Sequence, residues 1–182
     1  MLHFSREKLV TLRFEKISNH QIYMEILDFE LPEEKAYSAR ISRKTLMEIK
    51  KGVRKYIIVG RRYRNPKYSA RQLAEDIGVN TRYLSAALQL HYNCNFNELV
   101  NKLRIDDAKE IMLEDDNQMT MEDVALSAGF CNRQSFYTAF GKFVGMKPKE
   151  WLTEQKRLRD DELTRQREQT RATSQFEGIA FD

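Results

Sequence analysis

The sequence is poor in the residues that break helices. Its 182 residues include seven Gly and three Pro, so long helices joined by short turns are expected. Cysteine is scarce too. Cys94 and Cys131 stand far apart with no CxxC company, which argues against a disulfide framework or zinc site and for a reducing, cytoplasmic setting. His3, His20 and His91 are scattered, none at metal-ligand spacing from a Cys or carboxylate. There is no Gly-rich phosphate loop and no GxSxG motif. The pairs Asp106-Asp107 and Asp115-Asp116 read as a helix flank and a turn, and Ser135, inside a helix, has no partner base in view. No enzyme, metal or cofactor is therefore expected. The opening MLHFSREKLV lacks the apolar run of a signal peptide. No stretch is long and apolar enough to span a bilayer, so no membrane is expected either.

What is present fits one compact body with appendages. The chain is 41% hydrophobic and 32% charged, which allows a core of ordinary size under a busy surface. A net charge of +4 and a pI near 9.0 lean mildly toward an anionic partner.

The most organised stretch is 119–148, MTMEDVALSAGFCNRQSFYTAFGKFVGMKP. It reads as helix, tight turn, helix and a Gly and Pro stop. Val124 and Ala125 face inward, Ala125 being small where two helices cross. Gly129 falls where the turn needs positive φ. Phe130 plugs the corner and Asn132 is a candidate N-cap. Phe136, Phe140 and Phe143 recur at helical spacing and are expected to pin the second helix to the core. Arg133, Gln134, Tyr137 and Thr138 take the opposite face. A helix held by its Phe side with polar groups outward has the form of a helix-turn-helix reader of the major groove. An ordinary αα-corner with a solvated face would share this pattern.

A second copy lies upstream in 68–92, YSARQLAEDIGVNTRYLSAALQLHY. Ser69 caps a short helix. Leu73-Ala74 match Val124-Ala125, and Gly78-Val79 match Gly129-Phe130. Asn80 caps the second helix, Leu84 and Leu88 anchor it, and Arg82, Ser85, Ala86 and Gln89 point outward. The downstream copy is one residue longer after its Gly. Between the copies, 95–117 carries the stripe Phe96, Leu99, Val100, Leu103, Ala108, Ile111 and Met112, with Asn95 and Glu98 placed for a capping box. A helix of that length spans roughly 25–30 Å, close to the ~34 Å turn of B-DNA. It is expected to act as a strut that fixes half-site spacing.

Three flanking segments complete the chain. In 1–39, Leu12 and Phe14, then Ile22, Met24 and Ile26, alternate with polar neighbours. The period suggests a β-hairpin around Ser18-Asn19-His20, or else a flexible or truncated leader. Residues 40–67 set eleven cations (Arg40, Arg43, Lys44, Lys50, Lys51, Arg54, Lys55, Arg61, Arg62, Arg64, Lys67) against Glu48 alone. With the stripe Leu46, Ile49, Val53, Tyr56, Ile57 and Gly60, this reads as a basic amphipathic helix ended by Asn65-Pro66. Its basic face suits DNA phosphates, though a partnerless solvated face or a membrane surface would fit the same pattern. A closing helix starts at Lys147-Pro148, where Trp151 is expected to pack on the second copy. Residues 154–182, highly charged, are expected to form a fraying helix and a disordered end.

These residues resemble the AraC/XylS family of bacterial transcription regulators. The first half reads LA-x-x-IGV-N-x-x-YLS, then F-x-ELV-x-x-LRI-x-x-AKE. The second reads DVAL-x-AGF-x-x-x-x-SF-x-x-x-F-x-x-x-x-G-x-x-P. The match covers roughly 43–153. The resemblance implies an all-α, seven-helix domain of two helix-turn-helix subdomains joined by a long linker helix. The expected organisation is a 1–39 N-terminal extension, a 40–153 tandem helix-turn-helix domain and a 154–182 charged tail. The implied activity is sequence-specific double-stranded DNA binding and control of transcription, as an activator or a repressor, often in contact with RNA polymerase. Helices near 81–92 and 133–144 would read successive major grooves.

Carried over by position, Arg82, Ser85, Ala86 and Gln89 would read bases from the first helix, and Arg133, Gln134, Tyr137 and Thr138 from the second. Asn80, Thr81, Asn132, Ser135 and Lys142 would hold phosphates. Three positions depart from the family pattern. Asn93 stands where a Gly often follows the first reading helix, Ala86 where a polar reader is frequent, and Thr138 where some relatives carry Arg. Thirty-nine N-terminal residues are too few for the ligand-binding domain of longer members, so the chain looks like a short member or a fragment that has lost its sensor. A monomer, or a weak dimer through the extension, is expected. The alternative is a protein-interaction module on the same scaffold with little specific DNA binding.

Overall fold

A computed structural model of the protein describes residues 41–114 and 119–177, with side chains described through 170. The expected hairpin in 1–39 lies outside the described residues, as do Arg40 and the last five residues. Among the described residues all regular structure is helical, and no helix is long and apolar enough to cross a membrane. The chain divides into two compact units, at Asp106–Asp107.

In the first unit, α1 spans Arg43–Gly52 and continues as a π-helix over Val53–Val59. Ser42 caps α1 by accepting the Thr45 amide at 3.1 Å. Leu46, Ile49, Val53 and Ile57 are buried as the stripe requires, with Tyr56 half-buried. The helix ends at Val59, before the expected Asn65-Pro66 stop. The chain breaks at exposed Gly60 and at Arg61, whose φ is +46°, then makes a 3-10 turn at Arg62–Arg64. This break places Tyr63 wholly inside the core. Buried Arg104, from the LRI motif, closes the irregular stretch by donating Nε to the Tyr63 carbonyl at 2.6 Å and Nη2 to that of Asn65 at 3.1 Å.

Two further helices complete the first corner: α2 is Ala70–Ile77 and α3 is Thr81–Tyr92. Ser69 and Gln72 form a full capping box at the start of α2. The Tyr68 hydroxyl donates to Asp76 at 2.5 Å, and Arg62 pairs with the same carboxylate. These two donors, the Tyr68 hydroxyl foremost, hold the Asp76 carboxyl below its ordinary range. Gly52 is buried at the end of α1, where an added Cβ would lie 2.3 Å from Ile77 Cγ1. It permits close approach of α1 to the end of α2.

The linker helix α4 runs Phe96–Glu114. Asn95 and Glu98 exchange the two expected capping bonds at 3.2 and 3.0 Å. Phe96, Leu99, Val100 and Leu103 belong to the core of the first unit.

The second unit contains α5, Met121–Ser127, α6, Arg133–Val144, and α7, Pro148–Glu177. Val124, Ala125, Phe130, Phe136 and Phe140 are buried. The rings of Phe130, Phe136 and Phe140 follow one another at 5.4 and 5.5 Å, and Trp151 meets Phe140 edge-on at 5.9 Å. Phe143 does not join them. It is 37% exposed, because it sits a turn beyond Phe140 and Trp151 already closes that end of the core. The closing helix also outruns the expected fray near 154. No Gly or Pro interrupts 149–177, and pairs such as Arg157 with Glu154 at 2.7 Å and Gln166 with Glu162 at 3.2 Å add local support.

Candidate nucleic-acid interface

The two corners repeat in their hydrogen bonds as well as in their letters. Ser69 and Thr120, Gln72 and Asp123, Ala74 and Ala125, and Gly78 and Gly129 are each 51 positions apart. Thr120 and Asp123 form the same capping box as Ser69 and Gln72. Gly78 has φ +82° and Gly129 φ +94°, values an L side chain adopts only with strain. Phe130 and Val79 return their amides to Ala125 and Ala74 at 2.9 Å. Cys131 is the added residue, and beyond it the offset becomes 52. Asn80 and Asn132 both cap with their side chains, accepting the amides of Tyr83 at 2.7 Å and Ser135 at 2.9 Å. The correspondence extends to the far end, where Asn93 and Gly145 are both left-handed C-caps.

The buried faces determine which residues look outward. On α3, Leu84, Ala87, Leu88 and His91 are buried. Arg82, Ser85 and Gln89 are exposed and lie three and four residues apart on one face. Ala86 is half-buried at the edge of that face. The Gln89 amide nitrogen donates to Asn93 Oδ1 at 3.1 Å. On α6, Phe136, Ala139 and Phe140 are buried, while Arg133, Gln134 and Thr138 are exposed and Tyr137 is half-buried. The Arg133 guanidinium lies 4.9 Å from the Tyr137 ring centre and donates to its hydroxyl at 3.3 Å. Thr138 donates to the Gln134 carbonyl at 3.0 Å, leaving its methyl and oxygen lone pairs outward.

The five phosphate candidates differ in what they have to offer. Asn80, Thr81, Asn132, Ser135 and Lys142 are all exposed. Asn80 and Asn132 use Oδ1 for capping, so the Nδ2 groups are their donors. First-turn amides of a helix have no helical acceptor, and Thr81 stands in the first turn of α3. Ser135 gives its amide to Asn132 Oδ1 and its hydroxyl to the Asn132 carbonyl at 2.9 Å. A phosphate would have to displace that hydroxyl bond.

Two features went unread in the sequence. Asn93 bonds to Gln89, which only the left-handed C-cap geometry reveals. His91 is buried with neither ring nitrogen hydrogen-bonded. Burial, then the Lys50 charge, pushes its pKa down, keeping the imidazole neutral inside the core.

Two capped corners with this turn geometry define a tandem helix-turn-helix domain. Residues 73–154 match the helix-turn-helix domain family. Over 87 residues the chain is 30% identical to the melibiose operon regulatory protein of Escherichia coli K12, and equally to that of E. coli O6:H1 strain CFT073. The aligned stretch is 47% of this chain and 28% of each relative, so the chain spans under a third of the curated relatives it matches. Among solved structures, the C-terminal domain of AraT, a response regulator from Geobacillus stearothermophilus, shares the fold. Its TM-score is 0.53 at 23% identity, over 63% of this chain and 88% of that one.

Proposed function

We propose that the protein is a sequence-specific double-stranded DNA-binding transcription regulator whose α3 and α6 each enter a major groove. The observation that carries this reading is the doubled corner. Each copy buries one side of its second helix, caps it with Asn and leaves a polar row exposed: Arg82, Ser85 and Gln89 on α3, and Arg133, Gln134 and Thr138 on α6. Arg82 and Arg133 have the donor fork for guanine O6 and N7, while Gln89 and Gln134 match adenine N6 and N7. Thr138 offers a methyl to thymine, and half-buried Ala86 can do no more than that. Asn80, Thr81, Asn132, Ser135 and Lys142 would fix the register on phosphates, with the basic face of α1 adding charge. Contact with RNA polymerase, the organisation into extension, domain and tail, and a monomeric state or a weak dimer through the extension belong to the same proposal.

The test is selection of bound duplexes from a randomised pool at two salt concentrations. Two short motifs about one helical turn apart are expected. A single motif would reduce one helix to a phosphate anchor. No enrichment, with binding lost at moderate salt, would sink specific reading in favour of an interaction module.

A further inference from the structure

The C-cap of α3 is a left-handed Asn whose side chain reaches back to the helix. Asn93 has φ +48° and ψ +34°, a conformation in which Asn is tolerated and Gly is favoured. Its counterpart on α6 is Gly145, with φ +81°, and the counterpart of Gln89 is Gly141. The fold at this cap therefore needs no side chain, yet position 93 has one, and its Oδ1 takes the Gln89 Nε2 hydrogen at 3.1 Å. Both residues are exposed on the side of α3 that carries Arg82 and Ser85.

We propose that Asn93 is a positioning residue that fixes the orientation of the Gln89 amide and so sets the base preference of the first reading helix; this rests on the base-reading role of α3 proposed above. A glutamine amide has an acceptor end and a donor end, and rotation by half a turn exchanges them. Adenine presents an N6 donor and an N7 acceptor, whereas guanine presents two acceptors, O6 and N7. With one Nε2 hydrogen committed to Asn93, Oε1 and the second Nε2 hydrogen remain, one acceptor and one donor. That pair complements adenine. A freed amide can turn both hydrogens toward guanine and must also be immobilised on binding. Asn93 thereby favours adenine over guanine without touching either base.

The experiment measures the affinity ratio for operators carrying A·T or G·C at the base pair that Gln89→Ala makes indifferent. Wild type, Gln89→Ala, Asn93→Gly, Asn93→Asp and the double variant Gln89→Ala/Asn93→Gly are compared, with melting midpoints taken alongside. Asn93→Gly suits the left-handed cap and is expected to melt no lower than wild type, yet to lose about 2- to 10-fold of the adenine preference. Asn93→Asp keeps an acceptor at the same place. It is expected to retain the ratio while binding every duplex more weakly, since its charge opposes phosphate. Adding Asn93→Gly to Gln89→Ala is expected to change nothing further. An unchanged ratio in Asn93→Gly overturns the positioning role and leaves base reading standing. Extra loss in the double variant overturns it too, because Asn93 would then touch DNA itself. If Gln89→Ala makes no base pair indifferent, the reading role of Gln89 fails and this proposal fails with it.

Discussion

At the scale of single residues, outward positions are defined by what their neighbours bury. Phe136, Ala139 and Phe140 go inward on α6, while Arg133, in its exposed first turn, stands in solvent with the Tyr137 ring along its guanidinium. That stacking pre-orients Arg133 and, in the proposed base-reading role, would lower the ordering cost of the contact. Arg133→Ala is expected to cost ~1–3 kcal/mol on the selected operator and to relax preference at one base position, while leaving random duplex nearly unaffected. Equal losses on both, measured by fluorescence anisotropy, would remove Arg133 from the base-reading set. Lys142→Ala is expected to behave in the opposite way, weakening all sequences alike and lowering the salt slope by about 1. The polar rows were legible in the sequence because helical period alone separates Arg82, Ser85 and Gln89 from Leu84 and Leu88. Phe143 misled because period specifies a direction and not a partner. It points the right way from a position where Trp151 has already covered the core.

Among elements, the contact between the end of α1 and the end of α2 depends on the missing side chain of Gly52. Its φ of −66° is ordinary helix, so backbone freedom is not the reason for glycine there. Alanine would improve helix propensity by about 1 kcal/mol. Its Cβ, however, would sit 2.3 Å from Ile77 Cγ1 and 3.2 Å from Cγ2, and turning the Ile about χ1 exchanges one branch for the other. The clash prevails, and Gly52→Ala is expected to destabilise by about 1–2 kcal/mol in urea titration. Ile77→Ala should be less harmful in the Gly52→Ala background than alone, and strict additivity of the two would rule out this contact as the cause. The capping signals at Asn80, Asn95 and Asn132 were legible because each stands immediately before a periodic run. The break at Gly60–Arg61 was not. The stripe through Ile57 continues as if the helix did, and only Arg104, 41 positions beyond Tyr63, reveals that the carbonyls of Tyr63 and Asn65 are satisfied from elsewhere.

His91 links that helical packing to solution pH. It lies in the last turn of α3, where the helix dipole favours a cation. Burial and Lys50 oppose the charge and win, so its pKa in the folded protein lies below the 6.5 of an exposed imidazole. The unfolded chain then binds the proton more readily than the folded one, and stability rises with pH across that interval. Stability is expected to be full above about pH 6.5 and to decline as pH falls toward the folded-state pKa, levelling below it. Subtracting the urea midpoints of His91→Leu from those of wild type between pH 5 and 8 isolates this contribution. A difference that is flat with pH would show that His91 titrates alike folded and unfolded.

For the whole molecule, charge is the property that no single element explains. The net charge is only +4, yet the segment 40–67 concentrates eleven cations against one carboxylate. Such a concentration is costly through self-repulsion unless it meets an anion or is screened. Some of it is answered internally, since Arg62 pairs with Asp76, but Lys51, Arg54 and Lys55 stand exposed on α1 and its π-helical continuation. If the basic face lies against DNA phosphates, each contact releases counterions and contributes about 0.9 to the slope of log affinity against log salt on duplex DNA. Replacing Lys51, Arg54 and Lys55 together by Gln is then expected to flatten that slope by about 1–3 and to leave the selected motif unchanged, because phosphate contacts carry no sequence information. The helix should tolerate the change, since Gln propagates a helix nearly as well as Lys or Arg. An unchanged slope with an intact fold would mean that these cations are a solvated face. The salt dependence would then have to originate at the N-termini of α3 and α6 and at Lys142, and a selected motif that changed with the substitutions would instead make the segment a third reader of sequence.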